Sequence, residues 1–335
     1  MPTPARPFRS MLAGLLLAFA LLATPPAGAQ SKSESSAPAK KPAKASPTTK
    51  SAPPARAAAK NANVISKDPY IGAVAIDAAS GRILVDDHSE ARGYPASVLK
   101  LMDLLLVLEK IDAHQLTFQD TVKVSAKSAK TGGSQVWLAE KESFSVEELL
   151  YALMVQSAND AAVALAEKVA GSTEGFVELM NRRARDLGMN NTLFHSVHGL
   201  PPSAGQQPDV TTPRDFAILC RELVKRPEVL TLTSTRERPF RPDGGTKMVL
   251  MRTHNHLLGA VDGCDGLKTG YFVNAGFSIA ATAVRNGQRV IVVILGSSDR
   301  KVRDAKAAEL IAKAFNAQAS QAAAPAANPA PKQKP

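Results

Sequence analysis

Apolar positions recur along this chain in two rhythms, one helical and one strand-like. From Ser97 onward Leu101, Leu104, Leu105 and Leu108 fall at helical spacing, which predicts a buried helix. Residues 145–187 are helical in pattern throughout: leucines at helix spacing over 146–155, an alanine-rich run over 160–169, and an amphipathic segment beginning at Thr173. Thr211-Thr212-Pro213, with Asp215 in the first turn, marks a capped helix start running to Lys225. The uninterrupted run Ile71-Gly-Ala-Val-Ala-Ile76 predicts a buried strand, separated from a second strand over 82–85 by the turn Asp77-Ala-Ala-Ser-Gly81. A short strand is expected over 121–125. Further strands are expected over 247–251, 266–271, 276–284 and 290–296, with Asn286-Gly287 supplying a type I′ turn between the last two. A final helix spans 300–315. Strands at both ends and helices between them predict an α/β (α+β) chain: a mainly antiparallel sheet assembled from distant segments, flanked by helices, with an all-helical insertion.

The ends follow neither rhythm. Arg6 and Arg9 precede an apolar run over 11–24, and Ala27-Gly28-Ala29 follows as an A-x-A cleavage site, so residues 1–29 have the form of a secretory signal. The run is shorter than the ~20 apolar residues that span a bilayer. No cysteine follows the cleavage site, so neither lipid attachment nor a stable membrane anchor is expected after signal removal. Residues 30–63 are Ala, Pro, Lys and Ser without apolar period and are expected to be a disordered linker, as is the Ala/Pro tail 318–335. One folded domain is expected over 64–317.

The formal charge of +11 invites a nucleic-acid or membrane partner, but its placement argues against one. The signal carries +2, the linker +6 and the tail +2, which leaves +1 for the remainder. Cys220 and Cys264 are the two cysteines; an oxidising compartment permits a bridge between them, and two separate buried thiols are equally compatible with the sequence.

The chemistry starts at Ser97-Val98-Leu99-Lys100. Three residues apart on a helix, the hydroxyl and the amine lie on one face, ~5–6 Å apart at Cβ. Burial lowers a lysine's pKa, and a neutral amine beside a serine is a route to an activated nucleophile. By itself S-x-x-K is weak evidence, because Ser97 could equally cap the helix while Lys100 reaches water. Two further motifs change that balance by their order: Ser157-Ala158-Asn159 at a junction of predicted helices, and Lys268-Thr269-Gly270 on a predicted strand.

With those motifs, and with Gln156-Ser157-Ala158-Asn159-Asp160-Ala161, Leu187-Gly188-Met189-Asn190-Asn191-Thr192, His198-Gly199-Leu200 and Asp265-Gly266-Leu267-Lys268-Thr269-Gly270, the chain resembles the D-alanyl-D-alanine carboxypeptidases of the low-molecular-mass penicillin-binding protein family (serine peptidase family S11). The resemblance spans roughly residues 70–315. It implies the serine β-lactamase/D,D-peptidase-like fold, a periplasmic location, peptidoglycan stem peptides as substrate and β-lactams as covalent inhibitors. It also implies roles: Ser97 as nucleophile, Lys100 as general base, Ser157 and Asn159 as proton relay and substrate orienters, and the backbone N–H groups of Ser97 and Tyr271 as oxyanion donors. Lys268 would supply a positive field that keeps Lys100 neutral, and Lys268, Thr269 and Arg303 would hold the substrate carboxylate. No cofactor is expected.

The segment Tyr271-Phe272-Val273-Asn274 departs from the family's usual text, in which His or Tyr is followed by Thr. No β-rich second domain is evident after Phe315, so the chain resembles the short branch, some of whose members are D,D-endopeptidases cutting cross-links. A class A β-lactamase would need Glu-x-x-Leu-Asn between Asn159 and Lys268; the nearest text, Glu178-Leu-Met-Asn181, lacks the leucine before the asparagine and sits in a predicted helix. A non-catalytic wall-binding module would not need the intact catalytic set. His195 with His198, and His254 with His256, lack the third ligand of a recognisable metal motif and are expected to be loop and sheet residues.

Overall fold

The computed structural model describes residues 69–241 and 248–322. The expected signal, the linker and residues 64–68 and 323–335 lie outside the described residues. In chain order, the hairpin β1 (Gly72–Asp77) and β2 (Ile83–Asp87) leads through a 3₁₀ turn, Ala96–Leu99, into helix α1 (Lys100–Asp112). Next come β3 (Thr121–Lys123), α2 (Ala126–Ala129), β4 (Ser143–Ser145) and the helices α3 (Val146–Tyr151), α4 (Asn159–Ala170), α5 (Thr173–Asp186), α6 (Pro213–Leu223) and α7 (Pro227–Ser234). The hairpin β5 (Glu237–Phe240) and β6 (Val249–Arg252) precedes three long strands, β7 (Cys264–Phe272), β8 (Gly276–Arg285) and β9 (Gln288–Ser297), and the helix α8 (Arg300–Ala322).

The main sheet runs β2-β1-β9-β8-β7, with each adjacent pair antiparallel. Its N-terminal and C-terminal strands meet where Val74 opposes Val293. Residues 290–295 show no alternation of polar and apolar positions because both sheet faces are covered. Val290, Val292 and Ile294 face Ala307, Leu310, Ile311 and Ala314 of α8, whose i, i+3, i+4, i+7 spacing makes one apolar stripe. Ile291, Val293 and Leu295 belong to the larger core that holds α1, α4 and α6. Asn286 and Gly287 both have positive φ, 49° and 73°, as a type I′ turn requires. The helix α1 is buried from Lys100 to Leu108, so its chemistry is carried on an element with almost no solvent face.

The structure departs from the sequence pattern in three places. Within the helical stretch 145–187 the expected junction at Ser157 is present, but α3 reaches it through an unexpected π-helical turn, Ala152–Gln156, and Ser157 lies in the left-handed region, φ 61°. The insertion also holds two ribbons, β3 with β4 and β5 with β6, beside its helices. Finally, α8 continues past the expected end at Phe315 to Ala322, so residues 318–322 are helical rather than tail. Alanine-rich text looks disordered by composition but has high helix propensity, no proline intervenes before Pro325, and the Gln318 amide donates to Asp77 at the end of β1. Cys220 is a buried free thiol, raised by burial, and Cys264 is a free thiol at the start of β7. Among the described residues no helix is long and apolar enough to cross a membrane.

Candidate active site

Ser97 lies in the 3₁₀ turn, where the first helical hydrogen bonds are already made by backbone and its hydroxyl serves no cap. The Lys100 Nζ is 3.0 Å from Ser97 Oγ, 2.8 Å from Asn159 Oδ1 and 2.7 Å from the His198 carbonyl oxygen. Two of these three neighbours can only accept. A neutral amine has two N–H groups, which Asn159 and His198 take, so its lone pair is left to face the Ser97 hydroxyl. The side chain is fully buried, and burial brings its pKa down from 10.5 to about 7, against the opposite pull of Asp103, Asp209 and Asp160.

Ser157 and Asn159 arrive from the α3–α4 junction. The left-handed turn places Ser157, a residue only 3 % exposed, in the cavity wall, and Asn159 opens α4. Asn159 is held on both sides: its Nδ2 donates to the Gly132 carbonyl at 2.7 Å while its backbone N–H donates to Ser134 O at 2.7 Å. The next residue, Asp160, is buried and accepts from the backbone of Val136 and Leu138, which fixes the loop that brings Ser134 to the cavity.

The third wall is the edge strand β7. Gly270 packs directly on the serine turn: a Cβ there would lie 2.7 Å from Pro95 O and 2.9 Å from both Ser97 N and Val98 N. All three are backbone atoms and cannot swing aside. Gly270→Ala is therefore expected to cut the rate of Ser97 acylation by about 100-fold through displacement of the strand, the scale of a small misplacement of reacting groups, read by stopped-flow with a chromogenic β-lactam. Thr269 and the half-exposed Tyr271 line the cavity, and Tyr271 stacks on Phe277 with centroids 4.2 Å apart. Phe272, the departure noted in the sequence, stacks on Tyr94 just ahead of the serine turn at 5.9 Å.

Lys268 is buried and is not a lining residue; its Nζ donates to Thr269 O at 3.2 Å. Its pKa is well below the ordinary lysine value, first from burial and then from the charges of Lys100 and Arg303. The two amines oppose each other's charge, and burial is the larger cause at each. Burial is thus the chief cause of the low Lys100 pKa, and the field of Lys268 acts in the same direction. Arg303 is buried at the wall of the same cavity, with Nε and Nη2 donating to Asp304 at 2.9 and 2.6 Å.

Ser97, Ser157, Thr269, Gly270, Tyr271 and Arg303 therefore line one cavity of about 270 Å³, with the side chains of Lys100 and Asn159 hydrogen-bonded to it from within the protein. Sequence reasoning passed over four groups here. The His198 carbonyl contacts Lys100 through backbone, which leaves no trace in residue type; the neighbouring Gly199, φ 71°, hints at it, since a Cβ there would meet Ala96 O at 2.3 Å. His254 and His256, set aside as loop and sheet residues, line the cavity, as does Arg300. His195 and His198 border a separate cavity near α5. Asn181 of the Glu178-Leu-Met-Asn181 text is occupied by both backbone groups of Phe194.

A buried amine, a serine in a tight turn and a strand edge in one cleft define the penicillin-recognising serine peptidase class. The chain belongs to the D-alanyl-D-alanine carboxypeptidase family, peptidase S11, whose model matches residues 58–299. It is 36 % identical over 244 residues to the D-alanyl-D-alanine carboxypeptidase DacF of Bacillus subtilis, an alignment covering 73 % of this chain and 61 % of DacF. Among solved structures it is similar to the carboxypeptidase DacD of Francisella tularensis, with TM-score 0.68 and 30 % identity over 76 % of this chain and 71 % of that one. It is similar also to the ampicillin-bound penicillin-binding protein D2 of Listeria monocytogenes, with TM-score 0.64 and 30 % identity over 73 % of this chain and 96 % of that one. The chain spans about three fifths of the length of the first curated relatives it matches.

Proposed function

We propose that this protein is a serine D,D-carboxypeptidase that removes the terminal D-alanine from peptidoglycan stem pentapeptides through an acyl-enzyme, acting outside the cytoplasm after export. The observation that carries this is the contact between the desolvated Lys100 amine and Ser97 Oγ at 3.0 Å, inside the cleft closed by β7. Ser97 Oγ attacks the carbonyl between the two D-alanines as its proton passes to Lys100 Nζ. The negative oxygen of the tetrahedral adduct is received by the backbone N–H groups of Ser97 and Tyr271. The C–N bond then breaks, and the proton held by Lys100 reaches the leaving nitrogen by way of Ser157, releasing D-alanine. Water adds to the ester carbonyl, the bond to Oγ breaks, and Ser97 recovers its proton. The substrate's carboxylate lies by Thr269 and Arg303, and its negative charge supports a proton on Lys268, whose amine makes no ion pair among the described residues.

A β-lactam that mimics the D-Ala-D-Ala terminus acylates the same oxygen. Deacylation of that adduct is expected to be slow, because the chain has no Glu-x-x-Leu-Asn text to place a base on the hydrolytic water. The test is mass analysis after incubation with pentapeptide monomer and with cross-linked dimer. Free D-alanine and tetrapeptide from the monomer are the expected products. Monomers released from the dimer alone would replace this function with the D,D-endopeptidase one, and absence of both products would remove it.

A further inference from the structure

We propose that Arg300 and His256 form a second anion subsite on the leaving-group side of the cleft, so that substrates whose leaving residue carries an acidic side chain are accepted in addition to those that release alanine. The inference rests on the D,D-carboxypeptidase function above and names a further substrate class for the same site.

Arg300 opens α8, one turn before Arg303, and both line the cavity that holds Ser97. Arg303 is already balanced: Asp304 Oδ1 lies 2.6 Å from its Nη2. The other oxygen of Asp304 faces His256 Nδ1 at 3.3 Å. Arg300 differs. Among the described residues its guanidinium makes no ion pair with a carboxylate; instead its Nη1 lies 3.2 Å from Nδ1 and 3.3 Å from Nε2 of His256, which holds the side chain against the ring. Arg300 is near enough to Arg303 to oppose its charge. Two guanidinium groups on one cavity wall with a single carboxylate between them leave a net positive charge at the outer end.

The geometry of the leaving residue matches that arrangement. Its α-amino group is in the scissile amide and its α-carboxylate is held by Thr269 and Arg303. A side chain must then extend away from the serine along the wall, and a carboxylate one or two methylenes out meets Arg300. For alanine the methyl group stops short, and Arg300 adds nothing. A guanidinium held in place by a ring is well suited to a carboxylate, because less side-chain freedom is lost on binding.

The experiment compares kcat/KM for two tripeptides, diacetyl-Lys-D-Ala-D-Ala and diacetyl-Lys-D-Ala-D-Glu, using the mature exported protein and its Arg300→Gln and Arg300→Glu variants. The ratio of the glutamate substrate to the alanine substrate is expected to fall about fivefold in Arg300→Gln and further in Arg300→Glu, where charge is reversed. Raising salt should compress the ratio of the unaltered protein toward that of Arg300→Gln, because the contact is electrostatic and partly solvated. A ratio unchanged within twofold in either variant, while the alanine substrate is still turned over, overturns the subsite and leaves the carboxypeptidase function standing. Should the unaltered protein hydrolyse neither peptide and take up no penicillin, both fall together. If Arg300→Glu does not fold, Arg300→Gln and the salt series decide.

Discussion

Ser97→Ala is expected to abolish labelling by a fluorescent penicillin and to lower D-alanine release from pentapeptide by at least about 10⁴-fold, the scale seen when a serine nucleophile is removed. The loss should occur with the fold intact. Ser97 is half-buried in a turn built by backbone hydrogen bonds; its hydroxyl contributes no cap and contacts the Lys100 amine, which keeps its bonds to Asn159 and the His198 carbonyl when that hydroxyl is lost. Circular dichroism and the midpoint of urea unfolding should therefore be unchanged, while noncovalent retention of substrate persists. A Ser97→Ala protein that still forms a penicillin adduct stable to denaturation would place the nucleophile elsewhere. A protein that in its unaltered form binds stem peptides but forms no adduct would be the wall-binding module instead.

Lys100→Met should slow acylation by about 10³-fold, the usual contribution of a positioned general base. Methionine keeps the length and apolar stem of lysine, so the pocket stays filled while the base is lost. The pH dependence separates this from a packing effect. With a pKa of about 7 the amine is free above that value and protonated below it, so acylation of the unaltered protein should fall roughly tenfold per unit as pH drops under 7. The same shift appears in stability, with a definite sign. Between about 7 and 10.5 the unfolded chain keeps on this lysine a proton that the folded chain has released, so unfolding free energy rises with pH across that window. Lys100→Met should remove both the acid limb of the rate profile and that part of the stability slope. Acylation that stayed constant to pH 5 would take Lys100 out of the role of base.

Much of the fold was legible because both rhythms have simple physical causes. The last hairpin could be placed from Asn286-Gly287 alone, since few other pairs tolerate positive φ at both positions. The buried α1 and the Thr212 cap of α6, whose side chain accepts from Asp215 N, were equally readable. The junction of two helices at Ser157 was readable too, but the π turn that ends the first of them was not, because leucines and alanines keep helical spacing straight through it. The extra turns of α8 were missed for the opposite reason: alanine-rich text carries no apolar stripe, yet the Gln318–Asp77 contact links it to the sheet.

By itself the sequence determined the order of three short motifs, the buried helix that carries one of them and the strand that carries another, because these depend on residue type and local period. Only the tertiary structure decided that they meet. Lys100 finds Asn159 at a separation of 59 residues and the His198 carbonyl at 98, and Gly270 closes on the serine turn through backbone atoms alone. It also decided that burial is the largest cause bringing the Lys100 amine down toward neutrality, and that Arg300 and His256 stand on the same cavity wall as Arg303. Desolvation and backbone contact are properties of packed space, and no single stretch of chain records them.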